Sequence, residues 1–178
     1  MLEKDIKKVL ISEEQIVARA KELGARITED YKDRSPLMVA LLRGSVPFLA
    51  ELIKHIDLDI QYDFMDVTSY EGTESVGDIK ILKDLDTSIR GLDILVVEDI
   101  VDTGRTLSAV VKTLYNKGAN SVKIVTLLDK SSRRVKDIRA DYIGFEVENE
   151  FVVGYGMDFN QKYRCLPYIG VLKDELYQ

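Results

Sequence analysis

Nearly continuous apolar runs of strand length alternate with amphipathic helical stretches along this chain, and that alternation limits the fold more than any other feature. "LMVALL" (37–42), "DILVVE" (93–98) and "VKIVTLL" (122–128) read as buried strands. The first leads into "RGSVPFLAELIKHI", with Ser45 as a cap, Pro47 in the first turn, and Val46, Leu49, Ala50 and Ile53 in helical register. The second leads into a helix from about Thr106, whose Leu107, Val110, Val111 and Leu114 form a stripe ending at Gly118. "DIQYDFMDV" (59–67), "IKIL" (79–82) and "DYIGFEV" (141–147) add further strands. Ahead of them, "ISEEQIVARAKELG" opens on a capping box of Ser12 and Gln15, with Ile11 and Ile16 placed as a hydrophobic staple. Ile16, Val17, Ala20 and Leu23 share one face of that helix, and Gly24 is expected to stop it. Buried strands flanked by helices predict an α/β protein with a central, mainly parallel sheet covered on both faces.

At 178 residues the chain suits a single domain with a real core. A formal charge of −6 argues against a broad nucleic-acid-binding face. The single cysteine, Cys165, rules out an intrachain disulfide framework and suits a reducing compartment. Together with one histidine, His55, it cannot supply a structural zinc site, and His55 itself reads as a surface or packing residue. The N-terminal stretch does not resemble a secretory signal, and no segment approaches the ~20 apolar residues of a membrane span. A cytoplasmic protein without membrane partners is expected.

One stretch resists a purely structural account. In "VVEDIVDTGRTL" (96–107) a buried strand meets two adjacent carboxylates, Glu98 and Asp99, then two apolar residues, a third acid and a glycine turn. Thr103, Gly104, Arg105 and Thr106 open the next helix, where N–H groups outside the helical ladder and the helix dipole favour a phosphate. Glu98 and Asp99 could accept from two neighbouring hydroxyls, as a ribose diol presents, or sit near a hard cation such as Mg²⁺. Asp102 falls between the two. Other nucleotide signatures fail: there is no P-loop, "GYGMDF" lacks the third glycine of a dinucleotide fingerprint, and no serine–histidine–acid triad is available. The polar stretch "SYEGTESVGD" (69–78) reads either as a plain connection or as a lid over the strand ends.

"ILVVEDIVDTGRTL" resembles the phosphoribosyl-pyrophosphate (PRPP) motif of the type I phosphoribosyltransferases. The resemblance extends through "LLRGSVPF", "DFMDVTSYEGTESVGDIKIL", "VTLLDKSSRR" and "YIGFEVENEFVVGYGMDFNQKYRCLPYIGVL", and narrows to the hypoxanthine-guanine branch. It implies that family's fold in one domain over 1–178, with a core of about 30–150 and a small hood from the N-terminal segment and about 151–178. It also implies transfer of the 5-phosphoribosyl group from PRPP to hypoxanthine or guanine, giving IMP or GMP and pyrophosphate, with Mg²⁺. Carried over by residue, Glu98 and Asp99 would hold the ribose hydroxyls directly or through metal-bound water. Asp102 would be the acid beside purine N7, and Thr103, Gly104, Arg105 and Thr106 would bind the 5′-phosphate. Leu42, Arg43 and Gly44 would form the pyrophosphate loop, in which a cis peptide commonly precedes the basic residue. Ser69 and Tyr70 would belong to a catalytic lid. Lys130 would meet the purine 6-oxo group, Phe151 would stack on the base, and Val152 would contact its edge through the main chain. Asp158 would be both a purine-binding residue and a ligand of the pyrophosphate-associated Mg²⁺, and Arg164 would bind pyrophosphate. The family forms dimers and tetramers, so a homo-oligomer is expected.

A uracil, orotate or xanthine enzyme of the same fold is the nearest rival. Lys130 and the stretch from Phe151 to Asp158 disfavour the pyrimidine enzymes, while guanine against xanthine stays open. A regulatory RNA-binding protein on this fold would need a basic face, which the net charge disfavours.

Overall fold

The computed structural model of the protein describes residues 2–69 and 79–177. The chain runs through β1 (Ile6–Ile11), α1 (Glu13–Asp30), β2 (Leu37–Leu41), α2 (Val46–Leu52), β3 (Gln61–Ser69), β4 (Ile79–Lys83), β5 (Asp93–Val101), α3 (Arg105–Asn116), β6 (Ser121–Asp129), β7 (Tyr142–Glu146), β8 (Val152–Val153) and β9 (Ile169–Leu172). The larger sheet has the order β4–β3–β2–β5–β6–β7, parallel throughout except for β4, which pairs antiparallel with β3 at the edge. The smaller sheet, β1–β9–β8, is antiparallel and joins the two ends of the chain.

Alternation along the central strands sorts their side chains into two cores. Met38, Ala40, Leu95, Val97, Val125 and Leu127 face one layer, with Ile16, Leu23 and Ile27 of α1 and Phe48, Leu49 and Leu52 of α2. Leu37, Val39, Leu41, Ile94, Val96 and Ile124 face the other, under Leu107, Val110 and Leu114 of α3. Both faces of these strands are apolar because both are buried, which is why the runs look continuous in sequence.

Three local expectations need correction. The Ser12–Gln15 capping box forms as expected, but α1 does not stop at Gly24; it continues to Asp30. Gly24 is buried, and a Cβ on it would lie 2.5 Å from the carbonyl oxygen of His55. That glycine allows close approach of two segments, while Ile27 and Tyr31 carry the apolar stripe onward. On the same helix Val17 is exposed. In α2 the buried face is Phe48, Leu49 and Leu52, whereas Val46 and Ala50 are exposed. Phe48 is one turn before Leu52 and fills the position over the sheet, and the helix tightens into a 3₁₀ turn at Ile53–His55. His55 itself is half-buried, its Nε2 2.8 Å from Glu51 Oε1, in keeping with a packing role. Finally, β5 runs on to Val101 instead of ending at Glu98. Glu98, Ile100 and Val101 still pair with β6, so the acids sit on the last rungs of a ladder.

The smaller sheet has its own packing of Val153, Tyr163, Leu166 and Leu172, flanked by Phe151, Phe159, Tyr168 and Tyr177. Its Ile11, Val152, Ile169 and Val171 join the core under α1 and α2. This seats it at one end of the larger sheet, beside the carboxyl ends of β5 and β6.

Candidate active site

The carboxyl end of β5 and the start of α3 line a cavity of about 220 Å³, walled by residues 98–107. Gly104 caps the helix at φ +77°, a conformation that L side chains rarely adopt. A Cβ there would meet Ile138 Cγ2 at 2.6 Å and Arg134 Cδ at 2.9 Å, so the turn is closed from behind. Thr103 fixes the turn from both sides: its Oγ1 accepts from Arg105 N at 3.4 Å, and its carbonyl accepts from Val135 N at 3.0 Å. The result is a helix start held open toward one side, a geometry suited to an anion.

Behind this turn, Arg134 acts as a clasp. Its Nε donates to the Asp102 carbonyl at 3.0 Å, its Nη2 to the Val101 carbonyl at 3.3 Å, and it is ion-paired with Asp129. Both partners of that pair are nearly buried.

Glu98 and Asp99 are half-buried and close to each other. Burial, with the neighbouring Asp99 charge, pushes the Glu98 carboxyl well above the usual carboxylate range. Burial also raises Asp99, although Ile100 N donates to its Oδ1 at 2.7 Å and the positive charge of Arg164 opposes the shift. Two such acids side by side suit a pair of hydroxyl donors or a cation.

A second cavity, of about 240 Å³, shares Asp99, Ile100 and Asp102 with the first. Its other walls are Lys130, Arg133, Phe151, Val152, Met157 and Asp158. Lys130 is buried and its Nζ donates to the Glu150 carbonyl at 2.6 Å. Burial lowers its pKa, partly offset by Asp102. Phe151 is held by a stack on Tyr177, with ring centroids 4.6 Å apart, and by an edge contact to Phe159. Asp102 Oδ1 is buried and has no hydrogen-bond partner among the described residues.

The third component is the loop after β2. The Leu42–Arg43 peptide bond is cis, Leu42 is half-buried and Arg43 is exposed. A Cβ on Gly44 would lie 1.6 Å from Asp99 Oδ2, so the loop rests directly on that carboxylate. A Cβ on Gly156 would lie 2.1 Å from the Gly44 carbonyl, which brings the 154–164 turn onto the same loop. Arg164 spans that turn, donating to the Gly156 carbonyl at 2.6 Å and pairing with Asp158 Oδ1 at 2.9 Å.

The structure therefore gathers the predicted residues of the 42–44 loop, the 98–106 stretch, Lys130, Phe151, Val152, Asp158 and Arg164 around two adjoining cavities. Ser69 lies at the end of β3, and Tyr70 falls outside the described residues, as does most of the proposed lid. Sequence reasoning does not single out Arg133, Met157 or the Glu150 carbonyl. The basic pair Arg133–Arg134 just after Lys130 was a partial signal only, since Arg134 turns inward to Asp129 and the backbone.

A parallel sheet whose strand ends carry a glycine-capped helix start, an acid pair and a lysine-bearing cavity defines a class: α/β proteins that hold a phosphorylated ligand beyond the carboxyl ends of their strands. Comparison with known proteins gives the family. Residues 10–160 match the phosphoribosyl transferase domain. Over 178 residues the chain is 57% identical to a hypoxanthine-guanine phosphoribosyltransferase of Streptococcus thermophilus, covering 99% of each. It is 56% identical to that of Bacillus subtilis, over 100% of this chain and 99% of the relative. A crystal structure of a hypoxanthine phosphoribosyltransferase from Staphylococcus aureus matches with a TM-score of 0.96 and 49% identity, over 99% of this chain and 97% of that one. The chain belongs to the phosphoribosyl transferase family and, within it, to the hypoxanthine-guanine phosphoribosyltransferases.

Proposed function

We propose that this protein is a purine salvage enzyme that transfers the 5-phosphoribosyl group from PRPP to hypoxanthine or guanine, releasing pyrophosphate. The observation that carries the reading is the shared wall of Asp99, Ile100 and Asp102 between the helix-start cavity and the lysine-bearing one. A sugar spanning that wall has its 5′-phosphate at Thr103–Thr106 and its anomeric carbon toward the second cavity. Glu98 and Asp99 accept from the ribose hydroxyls. The 42–44 loop and Arg164 receive the pyrophosphate, whose negative charge needs compensation as it leaves. The base lies against Phe151 and meets the Val152 main chain, with its 6-oxo group at Lys130. Adenine would offer Lys130 an amino donor in place of an acceptor, leaving a buried ammonium unpaired. Asp102, with an oxygen unpartnered among the described residues, takes the N7 proton as the new glycosidic bond forms. A lid at Ser69–Tyr70 would keep water from the cationic sugar.

The acids suit Mg²⁺, a hard cation that needs only one or two carboxylates when substrate oxygens complete its shell. Glu98 and Asp99 are half-buried neighbours whose carboxyls are both raised by burial, a shift that such a charge would oppose. Asp158, ion-paired with Arg164, is the third acid within reach. Among the described residues no three acid, His or Cys side chains converge into a protein-only cage. When bound, Mg²⁺ supplies positive charge to the leaving pyrophosphate.

We take residues 1–178 as one catalytic domain whose hood covers the base, acting as a homodimer or homotetramer in the cytoplasm. Among the described residues no helix is long and apolar enough to cross a membrane. The test is a spectrophotometric assay of the purified protein with PRPP and Mg²⁺, offering hypoxanthine, guanine, xanthine, adenine and uracil separately. Rapid IMP and GMP formation with no product from adenine or uracil is expected, with loss of turnover on chelation and recovery with added Mg²⁺. PRPP binding without turnover on any base would overturn the reading in favour of a regulator.

A further inference from the structure

Asp102 is the one carboxylate of the base cavity whose inner oxygen makes no hydrogen bond among the described residues, yet a cation touches it. Arg133 Nε lies 3.3 Å from Asp102 Oδ1, in a geometry too misaligned for a hydrogen bond. The two side chains are about half and a third exposed, at 47% and 37%. Lys130, the other cation of this cavity, already gives its Nζ to the Glu150 carbonyl. Arg134, next in sequence, is fully engaged with the backbone of Val101, Asp102 and Ile138 and with Asp129. Among the described residues lining this cavity, Arg133 is the cation in direct ion contact with the Asp102 carboxylate, while Lys130 acts on it through charge alone.

The misalignment has a chemical consequence. An ionised carboxylate offers about four lone-pair sites over its two oxygens, so an ion contact at Oδ1 need not block an incoming proton. Contact off the bond axis supplies charge and steric support and leaves lone pairs for an incoming N–H. Arg134 fixes the backbone of Asp102, and Arg133 fixes the carboxylate about its own side-chain torsions.

Resting on the reading of Asp102 as the group that takes the purine N7 proton, we infer that Arg133 is a positioning residue for Asp102, holding its carboxylate toward the base cavity by an ion contact that leaves the accepting oxygen free.

The experiment measures single-turnover nucleotide formation, with enzyme in excess over hypoxanthine and saturating PRPP and Mg²⁺, so that transfer is read apart from product release. Arg133→Gln is expected to slow that rate about tenfold, the scale on which a misdirected proton acceptor costs a reaction. PRPP binding and the melting temperature should stay close to wild type, since the residue is half exposed. Arg133→Lys, which keeps a positive charge within reach, should recover most of the rate. In an Asp102→Asn background, Arg133→Gln should have no further effect on the residual rate, because the group it positions no longer accepts a proton. A rate unchanged in Arg133→Gln, an equal loss in both backgrounds, or no recovery with lysine would each overturn the inference. Wild-type protein with no purine transfer at all would instead overturn the reading of the enzyme itself.

Discussion

Asp102 and Gly44 show how little freedom single positions have around the cavities. Asp102 offers the base cavity a buried oxygen without a hydrogen bond among the described residues, so replacing it removes an acceptor and no structural bond of that oxygen. Asp102→Ala is expected to lower kcat by about two to four orders of magnitude, the usual worth of general acid–base catalysis. PRPP affinity should stay within a few-fold; near-normal turnover would take Asp102 out of the proton-transfer role. Gly44 has the opposite sensitivity. Adding one methyl group would put a carbon 1.6 Å from Asp99 Oδ2, so either the loop or the acid must move. Gly44→Ala should cost about a hundredfold in kcat/KM, as a displacement near 1 Å can, with little loss in Tm. A Gly44→Ala protein with wild-type kinetics would mean that the loop and Asp99 are not held in register. The acids and the glycine turn were legible in sequence because three carboxylates beside Thr-Gly-Arg-Thr are poor material for either core or loop. Arg133 was not, because its relation to Asp102 exists only after β6 and the turn that follows it have folded beside β5.

Among the elements, the segment from 130 to 138 shows what periodicity misses. It has no strand or long helix, only a 3₁₀ turn at Ser131–Arg133, yet it braces the helix-start turn through Arg134 and the Thr103 carbonyl. The Arg134–Asp129 pair is nearly buried, with side chains 13% and 7% exposed. Removing one partner leaves a buried charge alone, which generally costs about 3–5 kcal/mol. Arg134→Met should therefore destabilise the protein by about 3 kcal/mol in urea unfolding, against well under 1 kcal/mol for an exposed pair. A loss of less than 1 kcal/mol would show that Asp129 finds another partner. Helix α1 teaches a related lesson. Its start was readable from Ser12 and Gln15 because a cap is local chemistry. Its end was not, because Gly24 is explained by the backbone of His55 lying against it.

At the scale of the molecule, the parallel sheet was readable from the apolar pattern, whereas the strand pairing of the small antiparallel one was not, the resemblance implying only a hood from the two ends of the chain. Strands β2, β5 and β6 are buried on both faces, so burial writes itself into their composition. β8 has two residues and β9 four, and their pairing with β1 joins segments from opposite ends of the chain. That arrangement brings Tyr177 onto Phe151, one wall of the base cavity. Stacked aromatic pairs contribute about 0.5–1.5 kcal/mol beyond area burial. Tyr177→Ala should accordingly raise the purine KM about three- to tenfold while PRPP affinity stays put. An equal effect on both substrates would indicate a general loosening of the small sheet.

The pairing of Ile11 with Ile169 also sets an order of events during synthesis. Residues 98–106 leave the ribosome well before the strand that β1 must find. A nascent chain can thus shape the helix-start cavity early, but it holds β1 without a partner strand until β9 has emerged. The site acquires its phosphate end first and its base end last, so catalytic competence waits for β9 to reach β1.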